Sequence, residues 1–353
     1  MRKKNGRKSV LAGAGVTGAC LAGGLALALP AVSHAALLSN VVFNDALASN
    51  GSTLGAASQS YNNTATPSAT STNYDVASSK QATASSLSSG NPLKLVMAST
   101  SSGINETQAL FTSTPVQLTA IGDSVEITAT FTNTAGLNQN ASSAAYIGLY
   151  NSGGNAPFNN LENGSSTNNT QTGLVNTQIN DNTGGVQNWL GYEADYFGGQ
   201  ATKVFSRPAQ ATSTNNVDQA LVGDAQTGGP TGTQATYTSQ NNTETTLTIG
   251  NTYTDELLIT LSAAGTYTLT EALYNGASDT GTQVGTNTVG TLGALPSGGF
   301  DGMAIGYRES DSLSSEMDVS TVEVTTNTAV PEPASVGILS LVALGLARRR
   351  RPA

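Results

Sequence analysis

Short runs in which apolar and polar residues alternate constrain the fold of this chain more than any other feature. In "SVEITATFT", residues 124–132, every second residue is apolar, and on a strand these four would share one face: Val125, Ile127, Ala129 and Phe131. An alternation of period two is typical of a half-buried β-strand. Similar runs recur between clusters of Gly, Asn, Ser and Asp, at "PLKLVMAS", "QALFT", "AYIGLYN" and "DGMAIGYR". The sequence therefore predicts an all-β sandwich.

Two further runs are close enough in sequence to form a hairpin. "ELLITLS" and "TYTLTEALYN" are separated only by "AAG". A short connection that contains glycine is typical of antiparallel neighbours. We expect the inward-facing residues of this hairpin to include Leu269 and some of Leu257, Ile259 and Leu261.

The amino terminus has the three parts of a secretory signal peptide. Five basic residues lie within Met1–Lys8, and Ser9–Pro30 is rich in Ala, Gly, Leu and Val. The sequence "AVSHA" then places small residues at Ser33 and Ala35. This pattern predicts a signal helix that is removed by cleavage after Ala35, and an uncleaved amino-terminal anchor is the alternative.

The rest of the chain divides by composition into three parts. Residues 36–74 are dominated by Ser, Thr, Asn and Ala, which predicts a weakly ordered lead-in that contributes one edge strand. Residues 75–328 hold the apolar runs and form the predicted sandwich domain. Residues 329–353 form a separate carboxyl-terminal tail.

The composition of the exported part excludes several kinds of chemistry. The only Cys and the only His of the chain, Cys20 and His34, both lie in the predicted signal. Without them there is no Ser-His-Asp or Cys-His catalysis, no His-ligated zinc and no disulfide. Between Ala36 and Val330 remain five basic and 22 acidic residues, a formal net charge of −17. Such a charge argues against nucleic acid or an anionic membrane surface as a partner.

The carboxyl-terminal tail reads "VPEPASVGILSLVALGLARRRRPA". Its uncharged stretch, Ala334–Ala347, has 14 residues. As a helix it would reach about 21 Å, against a hydrocarbon core of about 30 Å, which predicts a short transmembrane helix that holds only temporarily. The four arginines that follow, Arg348, Arg349, Arg350 and Arg351, are typical of a stop-transfer signal on the cytoplasmic side.

These features resemble the PEP-CTERM sorting signal of Gram-negative bacteria. Pro331, Glu332 and Pro333 match its Pro-Glu-Pro motif, and the apolar stretch and the arginine cluster follow in the same order. The resemblance implies export, an intermediate tethered in the inner membrane, and cleavage near the motif by an exosortase. The product would then reside at the cell surface or in the extracellular matrix. An ordinary carboxyl-terminal tail anchor is the alternative.

The middle of the chain has a second resemblance. The segments "VQLTAIGDSVEITATFTN" and "FDGMAIGYRESDSLSSEMDVSTVEVTTN" resemble strands of concanavalin A-like lectin and glucanase jelly rolls. The second segment would place a final strand that contains Asp318 directly before the tail. This resemblance implies an antiparallel jelly-roll β-sandwich.

One segment, "NWLGYEADYF", concentrates groups that could act on or bind a glycan. Glu193 and Asp195 would share one face of a strand. The segment resembles the Glu-x-Asp-x-x-Glu strand of laminarinase-type glucanases, in which paired carboxyls serve as nucleophile and acid/base. The position three residues beyond Asp195 holds Gly198, so the expected proton donor is missing. We therefore predict no enzymatic activity, and a glucanase-like hydrolase that uses Glu193 and Asp195 is the alternative.

The aromatic residues of the same segment are candidates for stacking on sugar rings: Trp189, Tyr192 and Tyr196. The two tyrosines would lie on the face opposite to the carboxylates, so the two sets cannot line one flat groove. Packing of these rings in the core is the favoured alternative.

Three loops carry the oxygen donors that Ca²⁺ prefers: "NDNTGG" from Asn180, "SDTG" from Ser278 and "RESDSLSSEMD" from Arg308. None of them matches an EF-hand, so we expect no cofactor, with bound Ca²⁺ as the alternative. The sequence as a whole favours an exported structural or adhesive surface protein whose partners are the export machinery, an exosortase and, through glycan binding, a polysaccharide.

Overall fold

The computed structural model describes 17 strands and the segments around them, all in the part of the chain that follows Ala36. The described residues are 37–47, 53–54, 73–78, 92–97, 103–137, 143–155, 157, 174–175, 186, 189–197, 201–207, 221, 236–239, 245–284, 288–295, 299–309 and 314–329. The predicted signal with its cleavage site at Ala35, and the predicted tail from residue 330 onward, lie outside them. Within the described part of the chain, no helix is long and apolar enough to cross a membrane.

The strands differ widely in length, from two residues in β2 to 15 in β17. In chain order they are β1 (Leu37–Asp45), β2 (Thr53–Leu54), β3 (Asn73–Ser78), β4 (Leu93–Met97), β5 (Gly103–Leu110), β6 (Ser124–Ala135), β7 (Ala144–Asn151), β8 (Leu174–Val175), β9 (Leu190–Phe197), β10 (Lys203–Arg207), β11 (Thr236–Ser239), β12 (Thr252–Ala263), β13 (Thr266–Asn275), β14 (Thr282–Gln283), β15 (Thr288–Gly293), β16 (Gly302–Glu309) and β17 (Ser315–Ala329).

The strands form two sheets. The first has the order β1-β17-β6-β12-β13-β14, with β4 also paired to β17 and β15 also paired to β13, and all of its pairs are antiparallel. The second has the order β11-β10-β9-β7-β16-β5-β3-β2, with β8 also paired to β3. Among the strands that the structure describes, only the short β2–β3 and β3–β8 pairs are parallel. The two sheets confirm the predicted all-β, antiparallel sandwich.

One apolar core lies between the two sheets. The first sheet contributes the residues predicted from "SVEITATFT", and all four are at most 1% exposed: Val125, Ile127, Ala129 and Phe131. The second sheet contributes Ala145, Ile147 and Leu149 of β7 and Met303, Ile305 and Tyr307 of β16 to the same cluster. A core assembled from both inner faces is what stabilises a sandwich without disulfides.

The predicted hairpin is β12–β13. Its strands pair with Ile259 opposite Leu269 and Leu257 opposite Glu271, and the turn passes through Gly265 at a φ of 72°. Glycine adopts this left-handed conformation without the steric cost of a Cβ atom. Leu257, Ile259, Leu261 and Leu269 are all buried in the core, as the alternation predicts.

The segment predicted as a lead-in contributes more than the one edge strand expected, since β1 and β2 both lie in it and β3 begins in it. Strand β1 is an edge strand of the first sheet. It pairs with β17 from Leu37 opposite Ala329 to Asp45 opposite Val322. Phe43 is buried in the core. At the end of the strand the buried carboxylate of Asp45 accepts a 2.8 Å hydrogen bond from the hydroxyl of Tyr74, which belongs to β3 of the second sheet.

The middle of the second sheet is buried on both faces. All eight residues of β7 are buried, so this strand has no exposed face. The face turned away from the core carries a second apolar cluster: Ile104, Leu110, Ala144, Tyr146, Tyr150, Val186, Trp189, Leu221 and Ala304. Val186 and Leu221 belong to connections, not to strands, so chain outside the sheets covers this face. We call it the covered face.

Candidate functional site

The segment "NWLGYEADYF" supplies strand β9, between β7 and β10. Glu193 and Asp195 lie on the covered face, since they pair with Gly148 and Tyr146 of β7. Tyr192 and Tyr196 alternate with them and point into the core between the sheets. The strand therefore separates its carboxylates from its tyrosines in the way that its sequence predicts.

Two rows of residues cross the covered face. One runs from Glu193 through Gly148 and Ala304 to Gln108, and the next runs from Asp195 through Tyr146 and Gly306 to Glu106. Three of the four central residues, Gly148, Ala304 and Gly306, are small, and the side chains of Tyr150 and Glu106 fill the space over the two glycines. We call the polar residues at the ends of the two rows, together with Tyr150 and Arg207, the buried polar cluster: Glu106, Gln108, Tyr150, Glu193, Asp195 and Arg207.

Specific hydrogen bonds hold this cluster. The Tyr150 hydroxyl donates to Glu193 Oε2 at 3.1 Å, and Gln108 Nε2 donates to Glu106 Oε1 at 2.6 Å. The backbone N–H of Leu221 also donates to Glu106 Oε1, at 2.7 Å. The carboxylate of Glu106 is therefore one of the groups that fixes the covering chain onto the sheet.

Arg207 is the basic residue of the cluster, and it is 1% exposed. Its side chain donates a 2.6 Å hydrogen bond to the carbonyl of Trp189. The Trp189 indole in turn donates to the carbonyl of Asn155 at 2.9 Å. Arg207 thus supports the backbone that leads into β9, and its charge also acts on Glu193.

Burial raises the pKa of the Glu193 carboxyl well above its ordinary value, and the negative charges of Asp195 and Glu106 raise this pKa further. The hydrogen bond from Tyr150 and the charge of Arg207 oppose this shift without cancelling it. Among the described residues Glu193 Oε1 has no hydrogen-bond partner, and the side chain is fully buried. Its surroundings therefore disfavour the ionised form of the Glu193 carboxyl.

Glycines let two aromatic rings lie flat on the covered face. A Cβ atom at Gly148 or Gly191 would overlap the ring of Tyr150, and one at Gly302 would overlap the indole of Trp189. The rings of Tyr150 and Trp189 are tilted against each other with centroids 6.2 Å apart. Aromatic packing over glycine thus seals this face next to the carboxylates.

The three aromatic residues predicted to contact a glycan are all buried, at 1% exposure or less. Tyr192 packs edge-on against Tyr267 with ring centroids 5.6 Å apart, and its hydroxyl donates to the carbonyl of Gly293. The Tyr196 hydroxyl donates to the carbonyl of Thr245 at 3.0 Å. These rings serve as core and offer no free face to a sugar.

A second acidic group lies on the outer face of the first sheet. Carboxylate oxygens of Glu126, Glu256 and Asp279 lie within 4.8 Å of one another, the only such group among the residues that the structure describes. Burial and the charges of the other two raise the pKa of Glu256 to about 7. Three carboxylate oxygens could supply part of the shell of six to eight oxygens that Ca²⁺ takes.

The loops predicted to bind Ca²⁺ differ in what they contribute. The loop from Ser278 brings Asp279 into the acidic group just described. The loop from Asn180 lies outside the described residues. Of the segment from Arg308, Glu316 and Asp318 lie on β17 and form ion pairs with Lys94 at 2.8 and 3.5 Å, so these two carboxylates already have a cation.

Sequence reasoning missed Glu106. It lies in "NETQ" on β5, 87 positions before Glu193, with no motif around it. The alternation of side chains along a strand places Glu106 on one face of β5. Only the sheet order β9-β7-β16-β5 shows that this is the same face of the sheet as the one that carries Glu193. No local signal could have identified it.

Comparison with known protein families identifies the tail. Residues 329–351 match the PEP-CTERM protein-sorting motif, which confirms the resemblance based on Pro331–Pro333 and the arginine cluster. The chain therefore carries a PEP-CTERM protein-sorting motif at its carboxyl end. A comparison with curated protein sequences gives no significant match.

Solved structures with similar strand arrangements include lectins and a glucanase. Peanut lectin is similar over 83% of this chain and 98% of its own, with 15% identity and a TM-score of 0.35. Lectin II from Ulex europaeus is similar over 71% and 92%, with 13% identity and a TM-score of 0.32. An endo-1,3-beta-glucanase from Streptomyces sioyaensis is similar over 82% and 97%, with 11% identity and a TM-score of 0.37. The similarity concerns the fold alone.

Proposed function

We propose that this protein is exported through a signal cleaved after Ala35, sorted by an exosortase that removes the carboxyl-terminal tail, and retained at the cell surface or in the extracellular matrix of a Gram-negative-type bacterium. Its role there is structural or adhesive and not catalytic. The observation that carries the proposal is the sorting motif at 329–351, which begins on the last residue of β17. The folded sandwich is thus the exported domain, and the motif is its sorting signal.

The state of Glu193 supports a non-catalytic role. A glycosidase nucleophile must be ionised and must reach the anomeric carbon. Glu193 is fully buried, accepts a hydrogen bond from Tyr150, and has a raised pKa that disfavours the ionised form. An enclosed carboxyl of this kind acts as a hydrogen-bonding group of the fold. The rival proposal, a glucanase-like hydrolase, requires the covering chain to leave this face.

The sorting step is tested by changing the motif. We expect the double variant Pro331→Ala, Pro333→Ala to stay associated with the inner membrane at full tail length in a host that has an exosortase. The control Pro92→Ala, outside the motif, should be processed like the wild type. Fractionation followed by mass measurement reads out both. Normal processing of the double variant would contradict the sorting proposal.

The structural role is tested with Glu193→Gln, which resembles the protonated acid in shape and charge. We expect cells that lack the protein to lose cohesion of the surface layer, and expect the Glu193→Gln variant to restore it fully. A hydrolase that depends on Glu193 would fail to restore it. Release of reducing sugar from β-glucans by the purified wild-type domain, abolished in Glu193→Gln, would overturn the non-catalytic proposal.

A further inference from the structure

The two ends of the sandwich are paired with each other. Leu37, the first residue of β1, lies opposite Ala329, the last residue of β17. The predicted signal cleavage site, after Ala35, leaves only Ala36 before β1. The Pro-Glu-Pro motif begins at Pro331, with only Val330 between it and β17. Both processing sites therefore lie within a few residues of the same pair of strand ends.

The end of β17 is held on both sides. On one side it pairs with β1 up to Ala329, and on the other it pairs with β6 up to Asn327, opposite Ser124. The backbone groups of residues 322–327 are thus used by two neighbouring strands. A peptidase usually binds its substrate as an extended strand through those same backbone groups. Nearer the motif, Thr328 and Ala329 pair with β1 alone, so undocking of β1 is the event that frees their paired backbone groups.

Of the two neighbours of β17, β1 is the one whose separation requires less free energy. It is an edge strand, whereas β6 lies between β17 and β12. On β1 Val41 is 61% exposed, and the strand is anchored by Phe43, at 3% exposure, and by the hydrogen bond from Tyr74 to Asp45. Local opening at an edge needs far less free energy than global unfolding.

We propose that the sorting tail is removed only while the end of β17 is undocked from β1, and that docking of β1 closes the chain to the sorting peptidase. The inference rests on the proposed function, in which an exosortase cleaves near the motif. It assigns an order to the events: tail removal comes first, and the segment that forms the mature amino terminus then completes the first sheet. The fully paired sandwich is the product of sorting and a poor substrate for it.

Two kinds of variant, acting in opposite directions, test this order in a pulse-chase experiment on the full chain in an exosortase-containing host. Phe43→Ala loosens the docking of β1, so tail removal should be several-fold faster than in the matched control Val41→Ala on the same strand. Ser39→Cys with Asn327→Cys joins two paired residues near the tail. This lock should slow tail removal by about tenfold or more, because a locked end opens only with the whole sheet.

The control for the lock is Thr268→Cys with Thr291→Cys, which joins paired residues of β13 and β15 away from the tail and should leave the rate unchanged. A flexible Gly-Ser spacer inserted after Ala329 should restore rapid processing to the locked chain. The inference is overturned if the oxidised lock loses its tail at the wild-type rate, or if Phe43→Ala and Val41→Ala are processed equally fast. A wild-type chain that never loses its tail would instead overturn the proposed function, and this inference with it.

Discussion

Asp255 is a second carboxyl group whose pKa the fold raises, in this case inside the main core. It lies on β12, between Ala129 of β6 and Leu273 of β13, both of which are core residues. Burial raises its pKa to about 8, the charge of Glu256 adds to the rise, and a backbone hydrogen bond opposes it. In the unfolded chain the same group titrates near its ordinary value of about 3.9.

This difference predicts that stability falls as pH rises. Between about pH 4 and pH 8 the folded chain keeps a proton that the unfolded chain has lost, so raising the pH favours unfolding by about 1 kcal/mol per pH unit from this group. We expect Asp255→Asn, which cannot ionise, to flatten that dependence and to be more stable than the wild type at pH 8. Urea unfolding of both proteins at pH 5 and pH 8 measures how the free energy of unfolding depends on pH. Equal pH dependence in both proteins would contradict the account.

The glycine beneath Trp189 supports a prediction about packing. A Cβ atom at Gly302 would overlap the indole, so Gly302→Ala should destabilise the sandwich by about 1–3 kcal/mol. The matched control is Gly293→Ala, also in a strand, where a Cβ atom would meet nothing within 4 Å. Chemical denaturation of both variants gives the comparison. Equal stability of the two variants would show that the indole does not lie over Gly302.

At the scale of elements, period two predicted the strands that have one face in the core and one toward solvent. It located β6, β12 and β13 and their inward residues. It predicted less for β7 and β16, where nearly all positions are buried and the alternation does not mark a solvent face. The covering residues Val186 and Leu221 come from connections whose path no strand pattern encodes.

The candidate site shows the same limit. The sequence placed Glu193 and Asp195 on one face and the tyrosines on the other, because that follows from alternation alone. It could not predict that the carboxylate face would be enclosed, since enclosure depends on Trp189 and on the covering chain. It also could not connect Glu106 to them, because β5 reaches β9 only through two intervening strands.

The contact between Asp45 and Tyr74 supports a prediction about how an edge strand is attached. The bond joins β1 of the first sheet to β3 of the second, and both residues are fully buried. Tyr74→Phe would remove a buried donor, so we expect a loss of about 1–3 kcal/mol. Tyr274→Phe, at a less buried tyrosine of β13, is the control and should cost less. Thermal unfolding decides, and equal losses would contradict the role given to this bond.

At the scale of the whole molecule, the two parts of the account were predictable to different degrees. The sorting motif is linear, so its residues identified it without any fold, and the match at 329–351 confirms it. The pairing of β1 with β17 joins strands about 280 residues apart, and no local pattern could have predicted it. That pairing nevertheless determines where the ordered sheet ends and the tail begins, because it holds Ala329, the last residue of β17, against Leu37.

The most direct test of the central claim is the intact mass of the protein isolated from the surface fraction of its native cells. The account predicts a chain that begins at Ala36 and has lost the carboxyl-terminal residues that include Arg348–Arg351. Recovery from that fraction of a chain that still ends at Ala353 would contradict it.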